Sequence, residues 1–219
     1  MPEFKYPTVD MQSVKSNIKT ITHEVRNALF LDLDGTLRYN PIPPYRFSKG
    51  ADQIAVFPGI SKTLAKYSKA GYLIFGISNQ AGVAFGHKNM KDVFDESSRT
   101  MDLLIEQVKK DVPGFDTEES AIIHLITHCP YHENGKVPAY SRFSTCRKPG
   151  TGMITQAEEW AFNRSMVLNL SESIMVGDRP EDRELAKRIP DMLFVDPPDF
   201  FTDTEYRIKY KEIHNIMDQ

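Results

Sequence analysis

Five short apolar runs punctuate the chain, each closed by a turn signal: 28–33 (ALFLDL), 72–78 (YLIFGIS), 121–127 (AIIHLIT), 173–177 (SIMVG) and 192–195 (MLFV). Runs this short and this continuously apolar predict strands covered on both faces, as in parallel sheets. Helical periodicity fills the intervals. Ile60, Leu64 and Tyr67 predict a helix over 60–70 that stops at Gly71. Val93, Met101, Leu104, Ile105 and Val108 form one stripe of a helix over 91–110. Shorter helices are expected over 153–162 and over 181–189, the second ended by Pro190. Strands alternating with helices predict an α/β domain of three layers, a doubly wound Rossmann-like parallel sheet.

Two segments interrupt the alternation. Residues 38–58 hold Pro41, Pro43, Pro44 and Pro58 and predict an irregular flap beside the first strand. Residues 128–148 form a polar loop too long for a simple connection, which marks it as functional. The expected organisation is an N-terminal arm over 1–24, an α/β domain over 25–196, and a C-terminal tail or helix over 197–219.

Composition narrows the classes without choosing one. The 219 residues are 40% hydrophobic and 26% charged, with a net charge of −3. That balance argues against a broad nucleic-acid-binding surface. No stretch approaches the apolar length of a membrane span, and MPEFKYPTVDMQS lacks the apolar core of a signal peptide. No membrane partner, a cytoplasmic location and a monomer are the expectations. The two cysteines, Cys129 and Cys146, read as reduced.

Ligands of open α/β sheets sit beyond the carboxyl ends of the strands, so the residues there carry the candidate chemistry. The first strand ends in Asp32-Leu33-Asp34-Gly35-Thr36. Positions i and i+2 of an extended segment project to one side, which brings two carboxylates together. They repel unless a cation intervenes, and Mg²⁺ suits an all-oxygen set that also takes a phosphate. The second strand ends Ser78-Asn79-Gln80, and the fourth ends Gly177-Asp178-Arg179-Pro180-Glu181-Asp182. Between them Arg147-Lys148-Pro149 supplies fixed positive charge ahead of a helix.

The order and spacing of DLDGTL, SNQ, RKP and GDRPED resemble the haloacid dehalogenase superfamily of phosphatases, with a small cap or none. SNQAGVAFG and the loop leading to CRKP resemble its histidinol-phosphatase and heptose-bisphosphate phosphatase group. RKPGTGM resembles the phosphatase domain of polynucleotide kinase-phosphatases. The resemblance implies that Asp32 is the nucleophile and forms an aspartyl-phosphate, with Asp34 as general acid and then base. It implies Mg²⁺ held by Asp32, the main-chain carbonyl of Asp34 and Asp178, with Asp182 supporting the metal or a neighbouring cation. Thr36, Ser78, Asn79 and Lys148 are the implied phosphate and substrate binders, and Arg147 reaches the rest of the substrate or a second phosphate.

Cys129, His132, Cys146 and His128 look like a Zn²⁺ loop, although Tyr131 and Ser144 stand where related phosphatases carry a histidine and a cysteine. His214 lies outside the matched motifs and reads as solvated. The expected substrate is a small phosphate ester: a sugar phosphate, histidinol phosphate or a similar metabolite. A 3′-phosphatase acting on nucleic-acid ends is the alternative. A phospho-ligand binder without catalysis is a third reading, which both aspartates argue against.

Overall fold

The computed structural model describes residues 23–43, 47–117 and 120–217; the expected arm over 1–24 falls almost wholly outside them. Nine strands are described: β1 (Glu24–Arg26), β2 (Ala28–Leu31), β3 (Arg38–Tyr39), β4 (Ala55–Val56), β5 (Leu73–Asn79), β6 (Leu125–Cys129), β7 (Met166–Leu168), β8 (Ile174–Val176) and β9 (Leu193–Val195). Five of them form one parallel sheet in the order β6-β5-β2-β8-β9. The strand of this sheet that comes earliest in sequence, β2, lies at its centre, with β5 and β6 on one side and β8 and β9 on the other. The direction of winding therefore reverses between β2 and β8, the crevice where doubly wound sheets take ligands.

Alternation along β2 sends its side chains to both faces. Leu29 and Leu31 join one core, with Leu64 from the helix Ile60–Lys69 and Leu104 and Val108 from the helix Met90–Asp111. Ala28 and Phe30 join the other, with Ile154 and Ala157 from the helix Gly152–Phe162 and Leu185 from the helix Pro180–Lys187. A sheet buried on both faces needs the continuous apolar runs read from the sequence.

Three boundaries differ from expectation. The third strand starts at Leu125 rather than at 121, because the His124 ring takes up the ladder position: its Nδ1 accepts the Ile74 N–H at 3.0 Å. The flap over 38–58 is not wholly irregular, since β3 and β4 pair antiparallel within it, Arg38 opposite Val56. The end of the chain is also more than an appended tail. The helices Pro197–Phe200 and Thr204–Met217 bring Phe200, Phe201, Tyr206 and Ile213 into the same core as Leu29.

Tyr206 is fully buried, donates its hydroxyl to the Thr36 carbonyl at 3.0 Å, and packs 4.9 Å from the Phe201 ring and 5.1 Å from Phe57. Tyr206→Ala is therefore expected to cost about 3–5 kcal/mol, the usual range for emptying a large aromatic site. For a domain of this size that is a fall of roughly 6–20 °C in a thermal melt. An unchanged melting temperature would mean that the C-terminal helix does not pack on the core as described.

Candidate active site

Asp32 follows β2 directly, and its main-chain N–H donates to the Val176 carbonyl of β8 at 2.9 Å. The chain then turns back through Gly35, at φ 98°, where a Cβ would come within 2.7 Å of the Asp178 carboxylate. Gly177 has the same constraint from the other side: a Cβ there would lie 2.3 Å from Asp182 Oδ2. Both glycines let acidic side chains approach the backbone at the reversal point. Asp182 is placed by the first turn of its helix, where Oδ2 accepts the Arg179 N–H at 3.0 Å.

Asp32, Asp178 and Asp182 thereby each present one oxygen within 4.8 Å of the others. Lys148 enters between two of them, with Nζ 2.5 Å from Asp32 Oδ1 and 2.6 Å from Asp182 Oδ1. A third bond runs from Nζ to the Ile77 carbonyl at 3.0 Å. Asn79 grips the Lys148 main chain from both sides: its Oδ1 accepts the Lys148 N–H at 2.9 Å, and its Nδ2 donates to the Lys148 carbonyl at 3.1 Å. Two of the three buried carboxylates share this ammonium, and the third, Asp178, has Arg179 Nε 3.3 Å from its Oδ2. Burial pushes the Asp32 carboxyl well up, Asp182 and Asp178 push it further, and Lys148 opposes them. Burial disfavours the Lys148 ammonium, yet Asp32 and Asp182 outweigh it and hold the proton more tightly than in water. The surplus negative charge and the all-oxygen donor set fit a small hard dication.

Asp34 faces away from this cluster. Arg38 Nε donates to its Oδ1 at 2.7 Å, and Gln80 Nε2 donates to its Oδ2 at 2.7 Å. Burial would raise its carboxyl, but the Arg38 guanidinium beside it prevails and holds it at about 2. Above these groups opens a cavity of about 790 Å³ lined by Asp32, Asp34, Ser78, Asn79 and Lys148 at its base. Phe47, Phe85, Lys49, Arg147 and Arg179 line it farther out. One guanidinium nitrogen of Arg147, Nη1, is buried with no hydrogen-bond partner among the described residues.

Four expectations need correction. Thr36 is fully buried and does not line the cavity; its Oγ1 contacts Asp178 Oδ1 at 3.4 Å, so it supports an acid rather than meeting substrate. The Zn²⁺ set does not assemble. Cys129 and Cys146 are joined as a disulfide, not reduced, with Cα atoms 5.5 Å apart. His128 Nε2 is bonded to Ser97 Oγ at 2.8 Å, and the His132 ring packs on Phe85. With both sulfurs bonded to one another, no thiolate remains to hold a metal. His214 is also not simply solvated: the C-terminal helix carries its Nε2 to 3.2 Å from Asp178 Oδ2. Glu96 and His214 carry no local motif, because each meets the site only through the tertiary fold, whereas Arg38 directly follows DLDGTL and pairs with Asp34 four residues before it. Gln80 lies beside the SNQ signal and could have been read from it.

Comparison with known proteins agrees with this geometry. Residues 27–206 match the profile of the family described as polynucleotide kinase 3 phosphatase. The D-glycero-beta-D-manno-heptose-1,7-bisphosphate 7-phosphatase of Rhodopseudomonas palustris is 32% identical over 163 residues, 74% of this chain and 78% of that protein. The corresponding enzyme of Haemophilus influenzae is 31% identical over 72% of this chain and 74% of its own. Among solved structures, the D,D-heptose 1,7-bisphosphate phosphatase of B. bronchiseptica, complexed with magnesium and phosphate, shares the fold. Its TM-score is 0.55 at 16% identity, covering 86% of this chain and 99% of that one. No described helix is long and apolar enough to cross a membrane. Taken with the aspartate cluster at the β2–β8 crevice, the match places this chain in the polynucleotide kinase 3 phosphatase family, among the phosphatases of the haloacid dehalogenase superfamily.

Proposed function

We propose that the protein is a Mg²⁺-dependent phosphomonoesterase that works through an aspartyl-phosphate on Asp32 and acts on a small phosphorylated sugar or a similar metabolite. The observation that carries this reading is the convergence of Asp32, Asp178 and Asp182 around Lys148 at the base of a cavity rimmed by cations. Asp32, Asp178 and the Asp34 main-chain carbonyl would hold the metal, with Asp182 held back by Lys148. The ion would supply Lewis-acid screening of phosphate charge as an anionic nucleophile approaches.

Asp32 attacks phosphorus, a P–O bond forms to its carboxylate, and the bond to the substrate oxygen breaks. Lys148, whose three N–H bonds go to Asp32, Asp182 and the Ile77 carbonyl, supplies positive charge beside the transferring oxygens, and Ser78 offers a hydroxyl donor, stabilising charge where it develops. Asp34 is ionised without substrate, because Arg38 holds it so. An incoming phosphomonoester monoanion, whose second ionisation lies near 6, hands its proton to Asp34, which returns it to the departing oxygen. Asp34, ionised again, takes a proton from the water that hydrolyses the aspartyl-phosphate. Arg147, with an unpartnered buried nitrogen, is placed to meet a second anionic group of the substrate.

A cavity of about 790 Å³ falls within the size range of small-molecule sites and supports a metabolite. The family profile favours a second reading, removal of 3′-phosphates from nucleic-acid ends. The test is a phosphate-release panel with Mg²⁺ containing heptose bisphosphate, histidinol phosphate, nucleotides and a 3′-phosphorylated oligonucleotide. A sugar phosphate is expected to lead by about 100-fold in kcat/KM, equivalent to ~2.7 kcal/mol. Chelation is expected to stop release and added Mg²⁺ to restore it. Preference for the oligonucleotide would replace the metabolite reading with the second.

A further inference from the structure

Behind Asp34 lies a closed ring of charged and polar side chains that the proposed chemistry does not use. It runs from Asp34 to Arg38, through Nε and Oδ1 at 2.7 Å, and on from Arg38 Nη2 to Glu96 Oε2 at 3.5 Å. Lys88 Nζ meets both Glu96 oxygens at 2.8 Å and then Gln80 Oε1 at 3.4 Å. Gln80 Nε2 returns to Asp34 Oδ2 at 2.7 Å. The donors and acceptors leave one orientation for the Gln80 amide, because an ammonium can only donate and a carboxylate only accept. Thr100 fixes the far side: its hydroxyl donates to the Glu96 carbonyl at 2.8 Å and accepts from Arg38 Nη1 at 3.2 Å.

Arg38 and Glu96 have no exposed surface, and the Lys88 side chain is 8% exposed. Two cations and two carboxylates make the ring neutral as a whole. Neither Arg38 nor Glu96 lines the cavity, whereas Asp34, Gln80 and Lys88 do. A buried ion network seldom adds net stability over apolar packing of equal volume, so its placement against one acid–base residue is informative.

We propose that Glu96 and Lys88 are positioning residues for Asp34. Glu96 holds the Arg38 guanidinium in line with one carboxylate oxygen, and Lys88 orients the Gln80 amide toward the other. The helix Met90–Asp111, anchored in the core by Leu104 and Val108, thereby aims the proton-transfer group at the leaving oxygen. This inference rests on Asp34 acting as the acid, and the experiment separates the two.

The readout is the ratio of kcat/KM for glycerol 2-phosphate to that for 4-nitrophenyl phosphate, measured with saturating Mg²⁺. An alkoxide leaving group needs the proton and a nitrophenolate does not, and kcat/KM reports only up to phosphoryl transfer. Asp34→Asn is expected to lower the ratio by about 100-fold. Glu96→Gln and Lys88→Met are each expected to lower it by at least about 10-fold, with Lys88→Arg restoring most of it. A merely structural network would lower both substrates together. If Asp34→Asn shifts the ratio while Glu96→Gln and Lys88→Met do not, the positioning role is overturned and the acid role stands. A ratio unmoved by Asp34→Asn overturns both. Should Glu96→Gln fail to fold, Lys88→Met at the cavity wall decides the question alone.

Discussion

Asp32→Asn is expected to lower phosphate release by at least about 10⁴-fold while leaving the protein folded. The carboxylate is nearly buried, and burial together with Asp178 and Asp182 pushes its proton affinity well up. An amide of the same shape removes one of three crowded negative charges. Lys148 keeps its contacts with Asp182 and with the Ile77 carbonyl. The melting temperature should therefore stay level or rise in the absence of metal. Loss of turnover with intact folding is what a nucleophile predicts, whereas loss of both would mark a structural residue. Turnover within about tenfold of the wild type would overturn the assignment, since an amide cannot form the acyl-phosphate bond.

Lys148→Met should act on stability and on rate together. Removing the ammonium leaves Asp32 and Asp182 buried without their shared counter-charge, which costs about 3–5 kcal/mol when one partner of a buried pair is deleted. Mg²⁺ is expected to recover more stability in this variant than in the wild type, because Asp32 and Asp182 would then have lost the cation they share, while Asp178 keeps only Arg179 at 3.3 Å. The rate, measured as kcat/KM with saturating Mg²⁺, is expected to fall by about 10²–10³-fold, as when one group that stabilises a developing oxyanion is lost. Thermal melts with and without Mg²⁺, paired with phosphate release, check both parts. Equal metal-free melting temperatures for variant and wild type would contradict the described ion pairs.

These expectations depend on features of quite different legibility. The sheet could be read because each buried strand is locally apolar on both faces, and that pattern survives without knowledge of its neighbours. Its third member was misplaced by four residues because the His124 ring, rather than a main-chain carbonyl, accepts the Ile74 N–H. Periodicity contains nothing about such a substitution. The loop cysteines misled for a related reason. Cys129 and Cys146 have ligand spacing, but only the folded loop decides whether two sulfurs meet a metal or each other.

What the amino-acid order by itself determined is the acidic pair Asp32 and Asp34, the Asp178–Asp182 turn, and the parallel sheet whose carboxyl ends bring them to one edge. The i and i+2 spacing carries both carboxylates to the carboxyl end of β2, but both lie past the strand, and Asp34 turns to Arg38 and Gln80 instead of joining Asp32. The tertiary structure alone decided which of them does what. Lys148 and the β8 acids surround Asp32, while Arg38, Gln80 and, behind them, Glu96 and Lys88 enclose Asp34. It also decided that His214, at the end of the chain, faces Asp178. Proton affinity and charge balance are set by neighbours a few ångströms away, and apart from Arg38, four residues after Asp34, those neighbours are many residues distant in sequence. Hence the two aspartates could be found by reading along the chain, and their different surroundings only by folding it.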